Sequence, residues 1–165
     1  MAIREIRTEG DEVLRKVCKP VEKMTPSLKE LIGDMYDTLY DADGVGLAAP
    51  QVGIRKRIVV IDVGDGHQYT LINPVIVSQE GSQTGEEGCL SVPNKAGVVT
   101  RPQKVTVRAL DADMKEFTLT GEDLLARAIC HETDHLDGIL YVDKVEGKLI
   151  DLEQPEDEED GEGKE

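Results

Sequence analysis

The chain has 165 residues, enough for one domain with its own core, and only 3% are aromatic, so that core is built from Val, Ile, Leu and Ala. Its 34 acidic residues outweigh 19 basic ones for a net charge of −15, which argues against direct nucleic-acid binding and against adhesion to an anionic membrane. No apolar run is long enough to span a bilayer, the segment MAIREIRTEGDEVL lacks the apolar stretch of a secretory signal, and three dispersed cysteines (18, 89 and 130) cannot all pair, so the expectation is a cytoplasmic protein with reduced thiols.

A short helical or turn segment over 11–18 leads to Pro20. Thr25-Pro26 then opens a helix, with Thr25 as the cap and Pro26 in the first turn. Leu28, Leu31, Ile32, Met35, Tyr36 and Leu39 form an amphipathic stripe that stops at Asp41-Ala42-Asp43-Gly44. RIVVIDV (57–63) is a short buried strand followed by a turn at Gly64-Asp65-Gly66. Residues 69–78 are strand-like, with a break expected near Pro74. Val105, Val107 and Ala109 alternate with polar neighbours, as do Phe117 and Leu119, and Asp111-Ala112-Asp113 between them marks a hairpin. A second helix begins near Thr120-Gly121-Glu122-Asp123, which has the form of a capping box, and ends at Gly138. Helix, strands and helix without βαβ alternation give an α+β class, with one domain over 1–150. The remainder, 151–165, holds nine acids and one lysine, a charge of −8 that leaves −7 for the rest. Such a composition predicts a solvated, disordered tail.

His131-Glu132-Thr133-Asp134-His135 fits H-E-x-x-H, and on a helix the two imidazoles share one face. They can bind one cation, with Glu132 placed to act on a metal-bound water; the bland alternative is a charged helix that carries two histidines by chance. A catalytic site needs a third protein ligand. The extended H-E-x-x-H-x-x-G-x-x-H pattern fails because Tyr141 stands at its last position, and a downstream acid such as Glu156 falls in the acidic tail. Cys130 points about 100° away from His131 on a helix, Cys18 reads as a small core residue, and His67 sits in a polar turn. Cys89 remains, in Glu86-Glu87-Gly88-Cys89-Leu90-Ser91, where Gly88 permits unusual backbone geometry; alone it also reads as a buried thiol. The small-residue run Gly44-Val45-Gly46-Leu47-Ala48-Ala49-Pro50-Gln51 is either a tight turn into a strand or a backbone that approaches a ligand, with the Gln51 amide offered to a substrate oxygen. A phosphate loop is excluded, since neither Lys-Ser/Thr nor a helix start follows.

The blocks GVGLAAPQ, EGCLS and HETDH, in this order, resemble the signature of the bacterial peptide deformylases across residues 1–150. The resemblance implies an α+β fold whose mixed or antiparallel sheets pack around the HExxH helix. It implies hydrolysis of the formyl group from the N-terminal formyl-methionine of new proteins, with release of formate. By position it makes Cys89, His131 and His135 the metal ligands and Glu132 the general base and then acid, while Gln51 and the Leu90 backbone N–H form the oxyanion hole. Val45 and Gly46 hold the substrate, Arg101 lies along the peptide cleft, and with so few aromatics the methionine pocket is aliphatic, drawn from Val45, Leu125 and Ala128. The expected cofactor is one divalent ion, natively Fe²⁺, with Zn²⁺, Ni²⁺ or Co²⁺ able to replace it.

Departures from relatives are Cys130, where Gln is common, and Arg127, whose stem would line the pocket while its charge reaches water. The acidic end is the third. It implies that contact with the ribosome exit region, if made, does not run through residues 151–165. The alternatives are another HExxH metallo-amidase or peptidase, and a catalytically dead metal-binding module, against which the intact Glu132 and Gln51 weigh.

Overall fold

The computed structural model describes residues 2–152. In chain order it contains α1 (Pro26–Asp41), β1 (Gly46–Ala48), β2 (Ile58–Ile61), β3 (Tyr69–Glu80), β4 (Gln83–Cys89), β5 (Val92–Arg101), β6 (Lys104–Leu110), β7 (Glu116–Glu122), α2 (Asp123–Leu136) and β8 (Glu146–Asp151), with short 3₁₀ turns at Glu12–Arg15, Ala49–Val52 and Tyr141–Asp143. All strand pairs within the sheets are antiparallel, in a five-stranded sheet ordered β1-β2-β3-β6-β7 and a three-stranded sheet ordered β4-β5-β8. This is the expected α+β class, with α2 packed against strands of both sheets. Among the described residues no helix is long and apolar enough to cross a membrane.

The five-stranded sheet is covered on both faces, and its sequence shows how. Ile58, Val60, Leu47 and Ile72 pack with Leu31, Met35 and Leu39 of α1. Their neighbours Val59, Ile61, Ala48 and Leu71 point the other way and pack with Ala126 and Ile129 of α2. Period-two alternation therefore serves two helices at once, and β2 reads as an unbroken apolar run because neither face meets water. Each such side chain contributes about 1.5–3 kcal/mol on burial. Cys18 and Cys130 belong to the α2-side core, which suits their reading as thiols without a metal role.

α1 starts as expected: the Thr25 hydroxyl accepts from the Leu28 N–H at 3.1 Å, and Pro26 takes the first helical position. The β6–β7 hairpin also forms, with Val105, Val107 and Ala109 buried. Three local expectations are corrected. Pro74 does not divide 69–78; a bulge between Ile72 and Val75 absorbs it within one strand. Thr120 caps nothing. It lies in β7 and meets Thr106 across the strands at 2.9 Å, so α2 begins only at Asp123, after a Glu122 cap that makes no side-chain bond. The acidic segment is shorter than 151–165, because Asp151 closes β8 and sits 3.5 Å from Lys95; residues 153–165 lie outside the described residues.

Candidate metal centre and substrate cavity

Three elements converge on one point. α2 carries His131 and His135 one turn apart, with ring centroids 5.2 Å from each other. The end of β4 brings Cys89, and the ligand atoms of the three side chains lie within 4.8 Å of one another. Cys89 Sγ is 3.3 Å from His135 Nε2 and also accepts from the Ser91 N–H at 3.4 Å. One sulfur and two imidazole nitrogens at this separation suit a tetrahedral divalent transition cation with one position open. The fit is supported by the back of the site. His131 Nδ1 is engaged by Glu87 Oε1 at 2.9 Å, which leaves Nε2 as the nitrogen that can turn to a cation.

The remaining side chains frame a cavity of about 440 Å³ lined by Val45, Gly46, Gln51, Cys89, Leu90, Ala128, His131 and Glu132, among others. Glu132 is almost fully buried, and its Oε1 has no hydrogen-bond partner among the described residues. Burial lifts its carboxyl to about 7, with Glu87 and Asp134 adding repulsion against the pull of His131. Burial also opposes charge on His131, yet its bonds to Cys89 and Glu87 win and hold it above the usual imidazole range. Burial and the His131 charge push His135 well below that range.

Gln51 is held at both ends of its amide. Its Oε1 accepts from the Ala48 N–H at 2.9 Å, and its Nε2 donates to Ser91 Oγ at 3.0 Å with Cys89 Sγ at 3.7 Å. Leu90, next to Cys89, lines the cavity, with its side chain against Gly44. Gly46 runs directly under Glu132, and a Cβ there would sit 2.7 Å from Glu132 Oε2. The small-residue run is thus a backbone brought against a functional side chain, which only glycine allows.

Two expected substrate contacts are corrected. Arg101 does not line the cavity. It is 4% exposed and spent on buried ion pairs, with Nε and Nη2 on Glu87 at 2.9 and 3.0 Å and Nη1 on Asp134 at 2.8 Å. Leu125 faces β7, against Gly121 and the α2-side core, and the exposed Leu124 takes the cavity place instead. Arg127 does line the cavity, but its charge turns to Glu87 Oε2 at 2.7 Å and its side chain is only 11% exposed. His67 is exposed, as expected.

Glu87 went without a role in the sequence reading, although it lies two residues before Cys89. It meets His131, Arg101 and Arg127 while only 6% exposed. Burial penalises its charge, but His131 and Arg101 overcome this and hold its carboxyl well below the usual carboxylate range. Tyr141, considered only as a failed ligand, stacks on His131 at 5.9 Å. An acid two residues before Cys89, flanked by Glu86 and Gly88, was the available signal; nothing in the sequence points to Tyr141.

A family model described as polypeptide deformylase matches residues 3–149. A peptide deformylase of Agathobacter rectalis is 62% identical over 152 residues, 92% of this chain and 96% of that protein. A peptide deformylase structure from Legionella pneumophila superposes with a TM-score of 0.85 at 52% identity, covering 87% of this chain and 86% of that one. One from Synechococcus elongatus, solved in complex with actinonin, does so with a TM-score of 0.85 at 43% identity, covering 88% and 80%.

Proposed function

Because this chain belongs to the polypeptide deformylase family, enzymes that remove the N-formyl group from nascent peptides, we propose a specific division of labour among its own residues. The observation that carries it is the Cys89, His131 and His135 triangle with the unpartnered Glu132 Oε1 at the head of the cavity. Those three residues would hold one divalent cation, natively Fe²⁺, with Zn²⁺, Ni²⁺ or Co²⁺ as substitutes. When bound, such an ion lowers the pKa of water toward about 7 and polarises a carbonyl.

Glu132 takes the proton of the attacking water and returns it to the departing amine, a task suited to a carboxyl held near neutrality. The Gln51 Nε2 group and the Leu90 N–H donate to the formyl oxygen as negative charge builds on it; a single donor of this kind is worth about 10²–10³ in rate. Gly46 offers backbone groups to the peptide, while Val45 and Ala128 border the methionine side chain. The products are formate and a free N-terminal methionine. We infer that this chain also binds actinonin, the compound with which the Synechococcus elongatus relative was solved in complex. The enzyme works in the cytoplasm on formyl-methionyl nascent chains and does not reach ribosomal RNA through its acidic end.

Formyl-, acetyl- and unblocked methionyl peptides test the reading. Formate release from the first alone is expected, and cleavage of internal peptide bonds without action on formyl-methionine overturns it. Glu132→Ala should lower turnover by about 10²–10⁴-fold while sparing metal content. Anaerobic purification with metal analysis and parallel activity assays settles the ion. For the acidic end, ribosome binding that disappears on removal of 151–165 would refute the last statement.

A further inference from the structure

Arg127 stands where the substrate cavity and the buried charge cluster meet. Its Nη1 donates to Glu87 Oε2 at 2.7 Å and to the Val99 carbonyl at 3.1 Å, and its Nη2 donates to the Gln83 carbonyl at 3.4 Å. One guanidinium therefore ties α2 to β4 and β5. The same side chain forms cavity wall beside Leu124 and Ala128.

We propose that Arg127 is a positioning residue that, through Glu87, fixes the orientation of His131 while its stem supplies the wall against which the substrate's methionine side chain rests. This deepens the deformylase reading of the cavity and rests on it for the identity of the substrate.

The division of partners carries the argument. Glu87 Oε1 takes His131 Nδ1 and Arg101 Nη2, and Oε2 takes Arg101 Nε and Arg127 Nη1. Arg101 is shared, because its Nη1 serves Asp134. The cluster thus sets two guanidiniums against the carboxylates of Glu87 and Asp134. Lys144 also stands 3.8 Å from Asp134, but Glu87 has no such reserve: without the Arg127 charge, Arg101 is the one guanidinium left on it, and it loses the shortest of its four contacts. A buried carboxylate short of partners pays a desolvation cost and turns to regain them, so the imidazole that it aims loses its fixed plane. Groups that orient a metal-binding histidine typically account for about 10–100-fold in metal affinity. The methylene stem, meanwhile, keeps the pocket wall apolar although its owner is an arginine, since the charge is consumed behind the wall.

The test compares Arg127→Met, which keeps an unbranched stem without charge, with Arg127→Lys and Arg127→Ala. Apo protein is titrated with Co²⁺ and Zn²⁺ against a competing chelator, the Co²⁺ visible spectrum is recorded, and steady-state kinetics follow at saturating metal. Arg127→Met should weaken both ions by about 10–100-fold, shift the Co²⁺ bands and lower kcat with KM nearly unchanged. Arg127→Lys, a point charge that cannot span three acceptors, should recover part of the affinity. Arg127→Ala should add a rise in KM. Wild-type metal affinity and spectrum in Arg127→Met overturn the proposal. If that variant does not fold, Arg127→Lys decides, and wild-type behaviour there overturns it equally. A wild-type protein that binds Co²⁺ but releases no formate would instead refute the deformylase reading, which the affinity measurements do not depend on.

Discussion

The five-stranded sheet meets its helices through Val, Ile, Leu and Ala on both faces, whereas the three-stranded sheet meets α2 through a carboxylate, two guanidiniums and an imidazole. Both contacts are buried, but they specify different things. Aliphatic packing is non-directional and tolerates small displacements. The Glu87 cluster is directional, and a carboxylate held on both oxygens sets the angle of His131 in a way that apolar packing does not. Buried ion clusters are poor contributors to net stability. This one lies behind the cluster of Cys89, His131 and His135, where it fixes the plane of an imidazole.

The strongest way to break the comparison is to delete one element of each kind. Glu87→Ala leaves Arg101 and Arg127 buried without their shared carboxylate, and such a loss costs about 3–5 kcal/mol. It should also weaken metal binding by about 10–100-fold. Leu71→Ala, at a fully buried position of the sheet, should cost a similar 2–5 kcal/mol with metal affinity unchanged. Urea unfolding of the metal-free proteins and chelator competition on the folded ones separate the two effects. If Leu71→Ala weakened the metal as much as Glu87→Ala, the assignment of orientation to the charged cluster would fail.

The two regions also differ in how far their sequences disclose them. α1, α2 and the β6–β7 hairpin follow from spacing alone, because one buried face imposes a period on the residues that form it. The cluster of Cys89, His131 and His135 was legible too, since H-E-x-x-H requires a helix face and Cys89 sits in a motif. β4, β5 and β8 were not. Gln83–Cys89 is QTGEEGC, with one buried residue, and β8 is almost wholly exposed, so neither strand shows the alternation that marks a strand packed on a core. Arg101 was misplaced for the same reason. Pattern distinguishes polar from apolar, but it does not tell a guanidinium that faces a ligand from one that faces Asp134, 33 residues further on and in α2. Leu125 was displaced by one residue, which on a helix is about 100° of rotation.

A smaller and more local effect is expected at Gly46. The Cβ of Gly46→Ala would sit 2.7 Å from Glu132 Oε2, 2.9 Å from its Cγ and 3.0 Å from its Cδ, so the whole carboxylate end, not its tip alone, has to shift. Misplacing a reacting group by about 1 Å costs on the order of 10²-fold in rate. kcat should fall by about that factor, with the metal still bound and the unfolding midpoint little changed. Retained kcat would show that Glu132 can act from a second position.

The smallest effect belongs to the far side of the five-stranded sheet. The Thr25 hydroxyl satisfies the Leu28 N–H at the start of α1, and Thr25→Ala leaves that donor to water, at a cost of about 1 kcal/mol. For a chain of this size that is a fall of about 2–4 °C in Tm. α1 packs on Ile58, Val60 and Ile72, while α2 packs on Val59, Ile61 and Leu71, so the strands stand between the cap and the ligands. The fall in Tm should therefore come with no change in metal affinity or in kcat/KM. A loss of either would mean that strain passes through β2 from one face to the other, and that the aliphatic half of the molecule also positions the site.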